Sequence, residues 1–596
     1  MAGLNIHPVR DELRDFTADR RLLLLAAMAS LVGVLGSAAA FALLHLIGLV
    51  TNLAYYGQVS TVLRPFPATL PLWTILIPVA GSLIIGLMAR YGSEKIRGHG
   101  IPEAIEAILI GQSRIQPKVA LLKPISSAIS IGTGGPFGAE GPIIMTGGAL
   151  GSLFAQLFHL SNAERKTLLV SGAAAGMTAV FGTPIAAVLL AVELLLFEWK
   201  PRSFVPVAVA AMMAAACRPW LIGVGPLFPY AGAPLLPWWG LGACALVGLG
   251  AGLQSSLMTL FLYGVEDLFH KLPIHWMWWP ALGGLAVGIG GWLDPRVLGV
   301  GYDNIHALLQ SGIAPRAIAV LLLGKMAVWI VSLSSGTSGG VLAPLLIMGG
   351  ALGALESHLL PFGDPGFWAL LGMAAILGGT MRAPLTATFF AVELTGDSAI
   401  LLPLLAASVA AFALTVLVMK RSILTERIAR RGLHLTREYG VDPFLDTRVG
   451  DIMTAPVDTL PASMRVEEAM AFFANDSGEK RHRSYPVVNP DKDVIGMVTR
   501  SDALRWSNEG WTSEATLQDA QSLMPMITGY SDELAGVLAD RMAAAEIGRV
   551  PIFDRASRKL VGLVARRDLL RVRARVAKDE HHRHKPLRLM GAATLD

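Results

Sequence analysis

The chain has 596 residues, 53% hydrophobic and 16% charged, with a formal net charge of +5. So apolar a chain is not an ordinary soluble protein, and so small a net charge gives no reason to expect a nucleic-acid partner. Cys217 and Cys244 are its two cysteines, both in apolar surroundings, so no disulfide framework is implied. Charge is uneven: residues 1–420 hold 41 Asp, Glu, Lys and Arg, and the last 176 hold 52. This predicts a membrane domain followed by a soluble one.

Residues 1–21 read as a cytoplasmic segment. Their mixed charge, followed by an apolar run too long for a signal peptide, argues against a cleavable signal. Uncharged stretches recur at Leu22–Leu63, Pro219–Val265, Ile274–Leu293, Met326–Leu355 and Ser398–Met419. Each is long enough to cross about 30 Å of hydrocarbon, and Leu22–Leu63 is long enough for two passes or a broken helix. Lys420, Arg421, Arg427, Arg430 and Arg431 follow the last span, which puts the C-terminal part in the cytoplasm by the positive-inside tendency. The expected membrane domain is 22–427, the linker 428–448 and the tail 577–596.

Glu140 is the only Asp, Glu, Lys or Arg between Lys123 and Glu164. An ionised carboxylate in so apolar a segment costs a few kcal/mol or more, which marks it for function. It stands in Gly138-Ala139-Glu140-Gly141-Pro142, before an apolar run. Proline suits the first helical position, so the carboxylate is expected just outside a helix N-terminus, where an anion would also bind. The alternative is an ion pair with Lys123 or Arg382 that holds helices together.

The membrane part repeats itself. Pro142-Ile-Ile-Met-Thr-Gly147-Gly148-Ala149-Leu150-Gly151 matches Pro344-Leu-Leu-Ile-Met-Gly349-Gly350-Ala351-Leu352-Gly353, and Pro184 to Glu193 matches Pro384 to Glu393. The halves span about 22–220 and 237–420, and duplication with Gly/Pro-interrupted apolar segments points to a transporter whose site lies between them. Glu140 aligns with Leu342, so one half carries the acid. The repeat alone leaves open whether the second half is inverted. The soluble part is also doubled: Tyr485–Val488 leads to Gly496–Leu504 as Val550–Phe553 leads to Gly562–Leu570. Each unit reads as two strands and a helix capped by Asp, at roughly 449–507 and 522–576. They resemble a pair of CBS modules.

With these residues in hand, the first 420 positions resemble the CLC anion channels and exchangers. Gly98-His99-Gly100-Ile101-Pro102 is similar to the family's first anion-site signature, Gly138–Pro142 to the gating-glutamate signature, and Gly340-Val341-Leu342-Ala343-Pro344 to the third. Lys123, Glu193 and Glu393 stand where the family has supporting residues. The resemblance implies an α-helical integral membrane protein of inverted halves with tilted and broken helices, joined to a cytoplasmic α/β CBS pair. It also implies a homodimer with one pore per subunit in a bacterial inner membrane, both termini cytoplasmic, with chloride as substrate and no required cofactor. Backbone N–H groups and helix N-termini would hold the anion weakly enough for release.

Four positions depart from the family. His99 replaces a serine; Ala139 replaces a basic residue; Leu424 replaces the tyrosine of the inner anion site; and Leu194 replaces the inner proton-accepting glutamate. They favour channel-like or weakly proton-coupled anion transport gated by Glu140, with a stoichiometric H+/Cl− exchanger as the alternative. A CBS-bearing divalent-cation transporter would need gathered carboxylates, and an intramembrane enzyme paired acids or a His/Glu metal set; neither pattern occurs. No metal site is expected, and His-rich Asp579–His584 reads as a solvated end. In the CBS pair, Thr499 and Asp502 resemble groups that hold the ribose of an adenine nucleotide. Asp568 occupies the matching place but Ala565 lacks the hydroxyl, so the second site is expected to be weaker. Arg483, Arg549 and Arg566 are the cations expected near phosphates; dimer bracing is the alternative role.

Overall fold

A computed structural model describes residues 20–572 apart from 110, 112, 233, 235, 361, 433–443, 445–446, 475–481, 483, 510, 512–513 and 521–525. The chain divides into two compact units, with the boundary between residues 438 and 439. The N-terminal segment up to residue 19, the tail from 573, His581 and Arg483 lie outside the described residues, as does most of the linker.

The first unit is helical because a chain in hydrocarbon must satisfy its backbone groups within itself. Its first half runs α1 (Arg21–Thr51), α2 (Leu76–Tyr91), α3 (Ile101–Leu109), α4 (Pro117–Gly132), α5 (Glu140–Gln156), α6 (Asn162–Phe181), α7 (Pro184–Leu190) and α8 (Pro201–Leu221). The second half runs α9 (Gly240–His270), α10 (Trp279–Leu293), α11 (Tyr302–Leu309), α12 (Pro315–Ser334), α13 (Leu342–Glu356), α14 (Pro365–Met381), α15 (Pro384–Thr395) and α16 (Leu401–Val418); α17 (Ile423–Arg430) follows. Eight helices therefore match eight. Among the described residues, seven helical segments are long and apolar enough to cross a membrane.

Leu22–Leu63 makes one long helix rather than two passes. After α1 the chain takes a π turn at Asn52–Tyr56 and leaves helix at Gly57. The Asn52 amide then donates to the carbonyls of Gly48, Ser60 and Val62 at 2.8, 3.0 and 2.7 Å. With its two N–H hydrogens shared among three carbonyl oxygens, the amide ties the rest of the apolar run back as a loop.

The halves are inverted. The Glu393 carboxylate, near the end of α15, accepts from the N–H groups of Ile185 and Ala186 in the first turn of α7 at 2.9 and 2.8 Å. The Glu193 carboxylate, in the π turn Ala191–Leu196 after α7, accepts from Leu385 and Thr386 in the first turn of α15 at 3.3 and 2.8 Å. Each helix ends where its counterpart begins, so the pair is antiparallel. Gly138 and Gly340, also counterparts, exchange N–H···O bonds of 3.2 and 2.9 Å across an antiparallel bridge. A pseudo-two-fold axis therefore passes between them, and equivalent loops open on opposite membrane faces.

The second unit holds two three-stranded sheets. In chain order its elements are α18 (Val449–Ile452), β1 (Leu460–Pro461), α19 (Val466–Ala474), β2 (Ser484–Val488), β3 (Val494–Thr499), α20 (Arg500–Glu509), α21 (Leu517–Ala520), β4 (Gly529–Tyr530), α22 (Ala535–Ala544), β5 (Arg549–Phe553) and β6 (Leu560–Ala565). In each sheet the short strand is parallel to the middle one and the last is antiparallel, with Leu460 beside Val487 and Val550 beside Val564. The leading segments cross over. Val449 and Met453 pack in the core of the second module, while Leu517 packs in that of the first. The acid does not cap α20 as its N-cap residue. Thr499 precedes the helix, and Asp502, its third residue, accepts from the Thr499 N–H at 2.9 Å while its own N–H donates to the Thr499 hydroxyl at 3.2 Å.

Candidate functional site

Glu140 is the first residue of α5 rather than a residue outside it, and Pro142 is the third; Leu342 and Pro344 hold the same positions in α13. The N-termini of α5 and α13 meet at the Gly138–Gly340 bridge, so two partial positive charges, roughly half a unit each, converge there. The Glu140 carboxylate is fully buried and lies back against Gly138 and Gly340, where a side chain on Gly138 would overlap it. It lies near its own N–H and that of Ala343, yet neither oxygen makes a hydrogen bond of good geometry. Among the described residues, no cation pairs with it. Lys123 donates to the carbonyls of Ile96 and Gly98 at 2.8 and 2.7 Å, and Arg382 to the carbonyls of Thr415, Met419 and Lys420. The helix-bracing ion pair is thereby ruled out.

The first signature forms a loop over the start of α3. Gly98 and Gly100 take φ of +84° and +87°, which other residues rarely adopt, and Ile101 and Pro102 open the helix. The Gly100 N–H donates to the Glu103 carboxylate at 3.0 Å. His99 is buried, with Nδ1 lacking a partner. Gly141 packs on the His99 carbonyl, and Val341 and Leu342 are fully buried. Gly98–Pro102, Gly138–Pro142 and Gly340–Pro344 therefore surround one point on the axis. Leu424, in the first turn of α17, is buried, and the nearby Tyr263 hydroxyl donates to the Ile423 carbonyl.

The sequence reading missed two residues here. Arg427, in sequence one of several basic residues beyond the last span, packs its guanidinium against Gly98 and pairs with Glu103 at 3.4 Å; Arg431 pairs with Glu103 at 3.2 Å. Glu103, three residues after Gly100, is placed to cap α3, which was the available signal. Arg427 stands one turn beyond Leu424. A cavity of about 740 Å³ reaches this loop, lined by Arg97, Glu103, Met145 and Arg427 among others. On the second-half side, a cavity of about 540 Å³ is lined by Gly299, Gly301 and Tyr302.

Leu194 is buried in the π turn after α7. Glu193 beside it faces α15, where it also accepts from the Thr386 hydroxyl at 2.6 Å, so it is held as a helix cap. Among the described residues, no group of His, Cys, Asp and Glu is placed to hold a metal ion.

In the second unit a cavity of about 370 Å³ lies between residues 454–458 and the second module, lined by Asp458, His482, Arg549, Arg567 and Asp568. The stronger site was expected at Thr499 and Asp502; the cavity lies at Asp568. Thr499 and Asp502 bond each other at 2.7 Å, and Arg505 donates to Asp502 at 3.0 Å. The Ala565 N–H donates to the buried Asp568 carboxylate at 2.9 Å. Arg567 and not Arg566 lines the cavity.

The family described as voltage gated chloride channel matches residues 81–416, and the CBS domain matches 449–509 and 514–575. The chain is similar to the voltage-gated ClC-type chloride channel ClcB of Salmonella typhi, 29% identical over 407 residues, which are 66% of this chain and 96% of the relative. Its fold is similar to that of a slow cyanobacterial Cl−/H+ antiporter, with a TM-score of 0.60, 23% identity, and coverage of 70% and 99%. It is also similar to a eukaryotic CLC transporter, with a TM-score of 0.56, 18% identity, and coverage of 92% and 98%.

Proposed function

Since the chain belongs to the voltage gated chloride channel family and carries a CBS domain pair, we propose that it passes chloride through the meeting point of α5 and α13, gated by Glu140. The membrane domain of this family is a channel or transporter and not an enzyme. What carries the gating reading is a buried carboxylate with no cation beside it, lying where two helix N-termini converge. An ionised carboxylate there competes with the anion for the same N–H groups. Protonation removes its charge and its claim on them. Flux then rises as pH falls.

The transport is channel-like or weakly proton-coupled. Leu194 offers no carboxylate on the route to the other face, and Glu193 is held by α15. Stoichiometric H+/Cl− exchange is the second reading, favoured by a titratable group seated in the anion site itself. Two copies in a bacterial inner membrane, each with its own pore and cytoplasmic termini, form the working unit. The CBS pair takes an adenine nucleotide in the cavity at Asp568, with Arg549 and Arg567 beside it for the phosphates.

Chloride efflux from liposomes, recorded together with pH, tests this. Glu140→Gln is expected to conduct with little pH dependence, whereas the unaltered protein speeds up as pH falls. A variant that keeps the original pH response places the gate elsewhere. Uphill proton movement driven by a chloride gradient at a fixed ratio establishes the exchanger.

A further inference from the structure

The first-signature loop and its pseudo-two-fold counterpart, Gly299-Val300-Gly301-Tyr302, share a backbone design. Gly98 and Gly299 both take positive φ, +84° and +55°, and a buried lysine donates to the carbonyl of each, Lys123 at 2.7 Å and Lys325 at 2.9 Å. What covers the two glycines differs. On Gly299 it is the ring of Phe66; on Gly98 it is the guanidinium of Arg427, which a side chain on Gly98 would overlap. An apolar ring suffices to fill that place in the second half, so packing alone does not call for a cation in the first.

Ion pairing does not call for it either. Glu103 already accepts from the Gly100 N–H at 3.0 Å and pairs with Arg431 at 3.2 Å. Arg427 adds a single contact, Nε to Oε1 at 3.4 Å, and its terminal nitrogens Nη1 and Nη2 have no hydrogen-bond acceptor among the described residues. Of the other acids around the cavity of about 740 Å³, Asp267 is held by Arg430 and Glu106 by Arg431, while Glu266 acts on Arg427 only through space. Arg97 on the same cavity wall lies 4.5 Å from the Trp276 ring, its Nε buried without a partner; Glu94 and Glu266 act on it through space. Arg427 repels both Arg97 and Lys123. Its side chain is 16% exposed, open to the cavity yet poorly screened by water.

We propose that Arg427 is the docking group for a small monovalent anion on this side of the conduit, binding it through the terminal N–H groups of the guanidinium. From one turn further along α17, it supplies the donor that Leu424 cannot. The ion sits between the cavity and the first-signature loop, where it offsets the repulsion among the cations gathered there. A guanidinium is always charged and presents its terminal donors as a fixed fork, so it holds an anion more firmly than a hydroxyl would. Glu103 on Nε tempers that hold, which a conduit needs if the ion is to move on. The inference rests on reading the chain as an anion conduit, but not on Glu140 being its gate.

Chloride flux through the full chain in liposomes, measured against chloride concentration, tests it. Arg427→Met keeps the apolar stem and removes the charge. It should raise the half-saturating chloride concentration by about tenfold or more, since charge-assisted hydrogen bonds are lost from a poorly hydrated place. Arg427→Lys should recover most of that loss. A role confined to bracing Glu103 would instead lower the unfolding temperature of Arg427→Met and leave the half-saturating concentration where it was, which overturns the proposal. A rise that lysine does not recover assigns the effect to shape and overturns it too. If Arg427→Met does not fold, bromide-soaked crystals of the unaltered chain decide: an anomalous peak in contact with Nη1 or Nη2 is expected, and its absence overturns the proposal. An unaltered chain that passes no chloride overturns the conduit reading and this inference with it.

Discussion

The two halves of the membrane domain share a scaffold and differ in charge. Lys123 and Lys325, Glu193 and Glu393, and Gly138 and Gly340 perform the same bonds on either side of the axis. Glu140 corresponds to Leu342, Glu103 to Asn304, and His99 to Val300. The shared residues all satisfy backbone groups, which both halves need equally because neither has water to do it. The differing residues carry charge or a titratable ring at the axis, where one copy suffices and two would repel or overfill the site. Symmetry here marks structure, and its breaking falls on the residues that the proposed gating uses.

The largest expected effect comes from restoring symmetry at the axis. Leu342→Glu would place a second carboxylate opposite Glu140 and should lower chloride flux at neutral pH by about tenfold or more, since like charges there cannot both be accommodated cheaply. Glu140→Leu restores symmetry the other way and should leave flux independent of pH. Unchanged flux in Leu342→Glu would show that the first residue of α13 does not face the ion.

The paired caps come next. Glu193→Gln and Glu393→Gln each weaken a carboxylate that accepts two backbone N–H bonds and should each cost about 1–3 kcal/mol. Thermal unfolding in detergent reads this, and comparable losses from both are expected if the two-fold relation holds energetically. A loss confined to one would show that the pairs are alike in geometry only.

In the CBS pair the two modules can be separated in the same way. ATP at 100 times its Kd should stabilise the unit by about 2.7 kcal/mol. Asp568→Ala should abolish this shift while Asp502→Ala keeps most of it, because the cavity opens at Asp568. The reverse order would return the site to Thr499 and Asp502, and no shift with any adenine nucleotide leaves dimer bracing.

The smallest effect concerns acid stability. The Thr516 hydroxyl at 2.6 Å, with its N–H at 2.9 Å, holds the exposed Asp519 carboxyl below its ordinary range. A folded-state value below the unfolded one contributes stability above the ordinary carboxyl range that is lost as pH falls through the depressed value. Asp519→Asn should therefore flatten the acid limb of the unfolding curve slightly, and an unaltered limb would remove Asp519 from it.

Much of this was readable along the chain. The charge-free runs announced membrane helices, the offset repeat announced two halves, and Glu140 stood out as one acid in an apolar segment. Periodicity, composition and local motifs are properties of neighbouring residues, so they survive in one dimension. Even there, length left two passes or a broken helix open for Leu22–Leu63, and Asn52 turns the chain after one.

What required three dimensions were relations between residues about 200 positions apart. The inversion of the halves became visible because Glu193 and Glu393 cap each other's helices, and neither spacing nor hydropathy records a helix direction. Arg427 belongs to the first-signature loop because α17 returns to Gly98, more than 300 residues earlier in the chain. Residue order sets which groups must find partners; the packing of distant helices sets which groups find one and which, like the Glu140 carboxylate, do not.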